Sequence, residues 1–124
     1  RRVVGHAGNV SLCDLGYCSV GVDEGWENCS GTDPRHGLRQ HNAAGLPLID
    51  LKSFPDTAGM VKAIHALGLA AGWYLNGCKC GEHQEKQANY AGDIKDLHDF
   101  GFDGVKSDGC GAQRNQTLCT VVRA

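Results

Sequence analysis

Three apolar runs in this chain stop at side chains able to do chemistry. SVGV ends in Asp23 and Glu24, followed by Trp26; GWYLN ends in Tyr74 and Asn76; DGVKSD ends in Lys106 and Asp108. Adjacent carboxylates such as Asp23 and Glu24 can accept hydrogen bonds from neighbouring hydroxyls of one small molecule. Trp73 and Tyr74 offer flat faces. Lys106 and Asp108 lie two residues apart, so on a strand they share a side. A lysine at an inward strand position loses hydration, which costs roughly several kcal/mol unless its charge is paired. Asp108 is the partner within reach, and a positioned carboxylate can also serve as a nucleophile. Set against these readings are a structural ion pair at Lys106–Asp108 and a solvated acidic loop around a core Trp26.

Sulfur gathers near the same places. Cys78, Cys80, His83 and Cys110 have zinc-ligand side chains, but structural zinc sites usually leave about two to four residues between paired cysteines, and C-x-C is tighter. A disulfide between the second and third run ends, most simply Cys80 to Cys110 with Cys78 as rival, needs only neighbouring strand termini. The chain has 7 cysteines, so at least one is free or pairs outside it. Asn9-Val10-Ser11, Asn28-Cys29-Ser30 and Asn115-Gln116-Thr117 fit the N-glycosylation sequon. Sequons beside many cysteines point to the secretory pathway, lysosomal/vacuolar or extracellular.

The elements that must position these residues follow a rhythm. Gly16, Gly68 and Gly101 each close a helical-looking segment before an apolar strand, supplying the left-handed residue that ends a helix. Met60, Val61, Ile64 and Leu67 fall on one face of a helix predicted over Asp56–Leu67, capped by Ser53 or Asp56, with Pro55 near its first turn. A second helix is predicted from His83 to Phe100. Tyr90, Ile94, Leu97 and Phe100 form its apolar face, and Lys86, Asp93, Lys95 and Asp96 point outward. The stretch from Asn28 to Ser53 has no clear period and reads as an extended loop. Helix, glycine, strand and loop in turn imply an α/β fold with a parallel sheet. No glycine-rich phosphate fingerprint follows a strand, and chemistry sits at the strand ends. That favours part of a (β/α)8 TIM barrel, about three parallel βα units, over a doubly wound sheet.

Composition excludes other classes. The formal net charge of −2 gives no basic field for nucleic acid or anionic membranes. No apolar run approaches the ~18 residues of a membrane span, and no signal peptide is visible. The 124 residues make one modest domain, about half of the ~250 residues of a full barrel. The opening RRVVGHAGNV reads like the middle of a longer sequence.

The order GYCSVGVDEGWE, FPDTAGMVKAIHALGLAAGWYLNGCKCG, DFGFDGVKSDGC resembles the α-galactosidase (melibiase) branch of retaining glycoside hydrolases. Members of that family carry D-D-G/C-W after one strand, a helix opened by F-P-x-G-M, an H-x-x-G-L-K-L-G-I-Y strand and a K-Y/F-D-x-C motif. The match runs over most of residues 12 to 118 in the same order. It implies that Asp108 is the nucleophile and that Lys106 contacts sugar hydroxyls. Asp23 and Glu24 would grip the 4- and 6-hydroxyls, with Trp26 beside them, and Tyr74 would line the sugar pocket. Cys80 and Cys110 match the disulfide of the pocket wall, with Cys110 on the substrate side. It implies no cofactor and no metal. Glu24 stands where the family usually has aspartate, and Ser107 where it has an aromatic. Retaining glycosidases need two carboxyls ~5–5.5 Å apart, and no residue here matches the family's acid/base, which lies on a later strand.

The expected function is therefore an α-galactosidase-like retaining hydrolase acting on terminal α-galactosyl residues, with residues 1–124 as a partial catalytic barrel domain. The alternative is a non-catalytic structural or interaction subunit built on a degenerate half barrel. Under either, another chain or the missing barrel half is expected to cover the open sheet edges.

Overall fold

The computed structural model describes residues 10–33, 37–75, 80 and 87–108. The glycine rhythm is present. A 3-10 turn at Cys13–Leu15 ends at Gly16, and strand β1 follows at Ser19–Gly21. Helix α1, Thr57–Ala66, leads through Gly68 into strand β4, Ala70–Leu75. Helix α2, Gln87–Phe100, leads through Gly101 into strand β5, Gly104–Ser107. All three glycines have positive φ, 91°, 73° and 82°. Past α2 the chain closes back on itself, with the Gly101 and Phe102 amides donating to the His98 and Leu97 carbonyls, as expected of a left-handed helix end.

Asp56 is the N-cap of α1, its Oδ1 accepting the Gly59 amide at 2.8 Å. Ser53, the other candidate, instead donates its hydroxyl to Asp50 Oδ2.

Strands β1, β4 and β5 form one parallel sheet in that order, with Gly21 opposite Gly72 and Leu75 opposite Ser107. Chain order equals spatial order, as around a barrel; a doubly wound sheet reverses direction at its switch point. Asp103, just before β5, ties the other end of the sheet to α1. Its Oδ2 accepts from the Ala71 amide at 2.7 Å and bonds His65 Nε2 at 2.8 Å.

Central strand β4 explains the core. Ala71, Trp73 and Leu75 alternate onto the helix side and pack with Trp26, Val61 and Phe102. Trp73 is the hub: its ring centroid lies 4.5 Å from those of Trp26 and Phe102 and 5.5 Å from that of Phe100. Tyr74 lies on the opposite face of the strand, in register with Lys106.

Three expectations need correction. First, the stretch from Asn28 to Ser53 is not an open loop. Strands β2, Gly31–Asp33, and β3, Gly37–Arg39, form an antiparallel ribbon. Single bridges pair Glu27 with Ile49 and His41 with Pro47. Strands of three residues are too short to show a hydrophobic period.

Second, Asp93 does not point outward. It is buried against His41, with Oδ1 2.7 Å from Nε2 and side chains only 1% and 2% exposed. The segment around residues 40–46 covers a second side of α2. The backbones there approach so closely that a Cβ on Gly92 would lie 1.9 Å from the Gly45 carbonyl oxygen.

Third, Cys80 is bonded to Cys29, with a Cα–Cα separation of 5.5 Å, and a second disulfide joins Cys13 to Cys18. The reason lies in the segment after Trp26. The Trp26 carbonyl accepts the Asp50 amide, the Asn28 amide donates to the Leu48 carbonyl and the Trp26 indole bonds the Tyr74 carbonyl, and this brings Cys29 to the far end of β4. Cys110, the expected partner, lies outside the described residues, as do Asn76, Cys78 and His83. Among the described residues no helix is long and apolar enough to cross a membrane.

Candidate functional site at the strand ends

The C-terminal ends of β1, β4 and β5 bring four of the expected residues together. Tyr74, in the last turn of the pleat before β4 ends, donates its phenol hydroxyl to Asp108 Oδ2 at 2.8 Å. The backbone holds that carboxylate in place, since the Asp108 amide continues the ladder past the end of β5 to the Leu75 carbonyl at 2.7 Å. Lys106, opposite Tyr74 in register, sets its Nζ 4.8 Å from the Tyr74 ring centroid and 3.2 Å from Asp23 Oδ2. The ammonium thus bridges an aromatic face and a carboxylate.

The lysine pairs with Asp23, not with Asp108, and its side chain is 58% exposed. At that exposure the expected loss of hydration does not arise. Asp108 sits one residue past the strand and turns to Tyr74.

Charge and burial set the protonation pattern. Burial first, then the hydrogen bond to Asp108 and the charges of Asp108, Glu24 and Asp23, push the Tyr74 phenol up to about 12. At ordinary pH Tyr74 is therefore a fixed donor to Asp108. The Glu24 amide, followed by Lys106, holds the Asp23 carboxyl below the usual carboxylate range. Asp23 and Glu24 are both exposed.

Trp26 does not line this site. It is 1% exposed, packed on Trp73, and its Nε1 donates to the Tyr74 carbonyl at 2.9 Å. The expected substrate contact is a core residue here. Its indole N–H secures β4 from behind, which suits a buried tryptophan that needs a partner.

Glu27 is a residue that sequence reading passed over. It is buried, and its Oε2 accepts the Gly25 amide at 2.7 Å. Gly25 has φ 117°, so the turn that carries Asp23 and Glu24 is held by a glycine-only conformation and a carboxylate. The signal was present in VDEGWE, where a carboxylate follows two residues after glycine.

Chemically the cluster offers a carboxylate oriented by a neutral phenol, beside a lysine–carboxylate pair and a second exposed acid. Such a set can grip hydroxyls and present one oxygen nucleophile. Cys80 no longer joins the zinc alternative, and among the described residues no cluster of metal-ligating side chains forms.

Known proteins share this arrangement of sequence. A Talaromyces emersonii protein named "Probable alpha-galactosidase B" is 32% identical over 106 residues, 83% of this chain and 22% of its own length. The Aspergillus oryzae protein of the same name is 30% identical over 112 residues, 88% of this chain and 24% of its own. A Bacteroides fragilis crystal structure with a provisional α-galactosidase assignment superposes with a TM-score of 0.61 at 23% identity, over 84% of this chain and 21% of that one, a likeness of fold. No protein-family model matches the chain. The chain spans less than a quarter of the length of these relatives. The chain is thus related in sequence to one part of proteins named α-galactosidase, and its α/β unit is similar in fold to the Bacteroides fragilis structure.

Proposed function

We propose that residues 1–124 form the part of a retaining α-galactosidase-type catalytic barrel that grips the sugar and carries the nucleophile. The observation that supports this most is the meeting of Asp108, Tyr74, Lys106 and Asp23 at the ends of three parallel strands. In this reading the terminal α-galactosyl residue lies over the strand ends. Lys106, Asp23 and Glu24 bind its hydroxyls, Cys110 adds a substrate contact, and Asp108 attacks the anomeric carbon. Tyr74 holds the attacking carboxylate in one orientation. The exposure of Lys106 and Asp23 leaves both open to a ligand.

The acid/base that protonates the leaving oxygen comes from outside this chain. Proton transfer of that kind contributes roughly 10²–10⁴-fold. An activated phenolate needs little such help, whereas a sugar leaving group does. The chain alone therefore releases phenolate at most once from an aryl α-galactoside and does not turn over melibiose. Stopped-assay phenolate release and galactose release from melibiose measure this. Repeated melibiose turnover lost on Asp108→Asn would mean another carboxylate here acts as the acid. Phenolate release unchanged by Asp108→Asn would remove Asp108 from the role.

Among the described residues β1 and β5 are the outer strands of the sheet, which favours a covering partner, either the remaining strands of a barrel or another chain. That same observation carries the second reading, a non-catalytic interaction subunit; sugar binding at the strand ends separates the two. The disulfides fit an oxidising secretory or extracellular compartment, and we place the protein in a lysosomal/vacuolar or extracellular setting.

A further inference from the structure

We propose that Asn28 is an N-glycan acceptor and that its modification competes with closure of the Cys29–Cys80 disulfide. The inference stands apart from the catalytic reading and needs only passage through an oxidising secretory compartment. Asn28-Cys29-Ser30 is the sequon that the described residues contain whole; Asn9 and Asn115 lie outside them. Asn28 is half-buried and Ser30 exposed, on a turn that follows the buried Trp26–Glu27 pair.

The tripeptide is folded onto itself. Asn28 Oδ1 accepts the Ser30 amide at 3.0 Å, an Asx turn across the sequon. This bond engages the carboxamide oxygen and leaves Nδ2 to be the reacting atom. The Asn28 amide donates to the Leu48 carbonyl at 2.8 Å, which fixes the backbone against the facing segment.

The reaction transfers an oligosaccharide from a lipid-pyrophosphate carrier. A bond forms from Asn28 Nδ2 to the sugar's anomeric carbon, and the bond from that carbon to the carrier's phosphate oxygen breaks. The carrier leaves with the electron pair, and one Nδ2 proton passes to solvent. The product is an N-linked glycan on the chain and a free lipid pyrophosphate.

The central residue of the acceptor tripeptide is Cys29, bonded to Cys80 at 51 residues' separation. Once closed, that bond ties the tripeptide to the far end of β4 and denies a transferase the extended peptide it must take up. Before Cys80 has been synthesised the sequon is unconstrained. At ~5–20 residues per second the intervening chain takes roughly 3–10 s to make. Transfer and closure therefore compete, and occupancy at Asn28 is partial.

The test directs the 124-residue chain to the secretory pathway of a eukaryotic host with a cleavable leader, as wild type, Asn28→Gln, Cys80→Ser and Ser30→Ala. Deglycosylation in ¹⁸O-water followed by peptide mass analysis reads each site from cell lysate as well as medium, so a variant retained as misfolded still reports. We expect partial ¹⁸O-aspartate at position 28 in wild type, its loss in Ser30→Ala, loss of the corresponding glycan mass in Asn28→Gln, and a higher fraction in Cys80→Ser. Asn28 unlabelled in both wild type and Cys80→Ser overturns the acceptor assignment. Equal labelling in those two overturns the competition and leaves a plain acceptor.

Discussion

At the scale of single residues, the strand-end cluster turns on a phenol and a carboxylate pair whose titration is measurable. Tyr74 is held neutral by burial and by Asp108, so its pKa of about 12 exceeds the ordinary 10.0. A group raised in this way favours the fold at pH below its unfolded value and loses that contribution as pH climbs through the folded value. The chain should therefore lose stability between about pH 10 and 12. Phenolate absorbance followed against pH should show a late-titrating component that Tyr74→Phe removes. If that component survives in Tyr74→Phe, the phenol is not the donor to Asp108.

Asp23 gives a partition of causes. The Glu24 amide is the larger influence lowering its pKa and Lys106 the next. Lys106→Met should thus move the Asp23 carboxyl upward but only part of the way to its ordinary value, as read by carbon-detected NMR titration. No movement would place the lysine elsewhere.

Much of this residue-scale arrangement was legible in sequence. Period 2 put Lys106 and Asp108 on one side at the end of a strand, and the strand-end positions of Asp23 and Tyr74 followed from their glycine starts. The pairing was not legible, because which carboxylate a lysine reaches depends on the order of strands across the sheet, and Asp23 lies 83 residues away beyond β4. Trp26 misled for a related reason: an aromatic beside a site and an aromatic beneath it look alike until the sheet behind them is known.

At the scale of elements, the contact between α2 and residues 42–46 decides how the helix sits. Gly92 lets the Gly45 carbonyl come against the helix where a Cβ would be 1.9 Å away. The obstacle is backbone, so it cannot swing aside. Gly92→Ala should cost about 1–3 kcal/mol by overpacking, while Ala91→Ser on the exposed neighbour should stay within about 0.5 kcal/mol. Denaturant midpoints compare them, and equal costs would mean that the Gly45 carbonyl does not press on Gly92. The helix boundaries and glycine stops were readable because caps and left-handed glycines are local. The burial of Asp93 was not, since a helix shows its second covered side only through what packs there. The β2–β3 ribbon escaped because three-residue strands carry too little pattern.

At the scale of the whole molecule, long-range covalent closure does what a small core cannot. Among the described residues the parallel sheet has three strands with β1 and β5 at its edges, and Cys29–Cys80 ties the segment after β1 to the segment after β4. Chain-entropy reasoning for a loop of 51 residues gives about 4 kcal/mol. The Cys29→Ser, Cys80→Ser double variant should lose stability by that order, measured against wild type under non-reducing conditions. A loss below about 1 kcal/mol would mean that the unfolded chain already holds these segments together. Sequence could count the cysteines but could not pair them, because pairing follows the packed path of the chain.

In the proposed function the strand ends form a sugar-gripping face around Asp108. Galactose titrated into the ¹⁵N-labelled chain, followed by amide chemical shifts, tests it directly. Saturable shifts should group at Asp23, Glu24, Tyr74, Lys106 and Asp108, weaken in Lys106→Met and be absent for a sugar lacking the contacted hydroxyls. A folded chain whose shifts do not move, or move only at residues away from the ends of β1, β4 and β5, would contradict it.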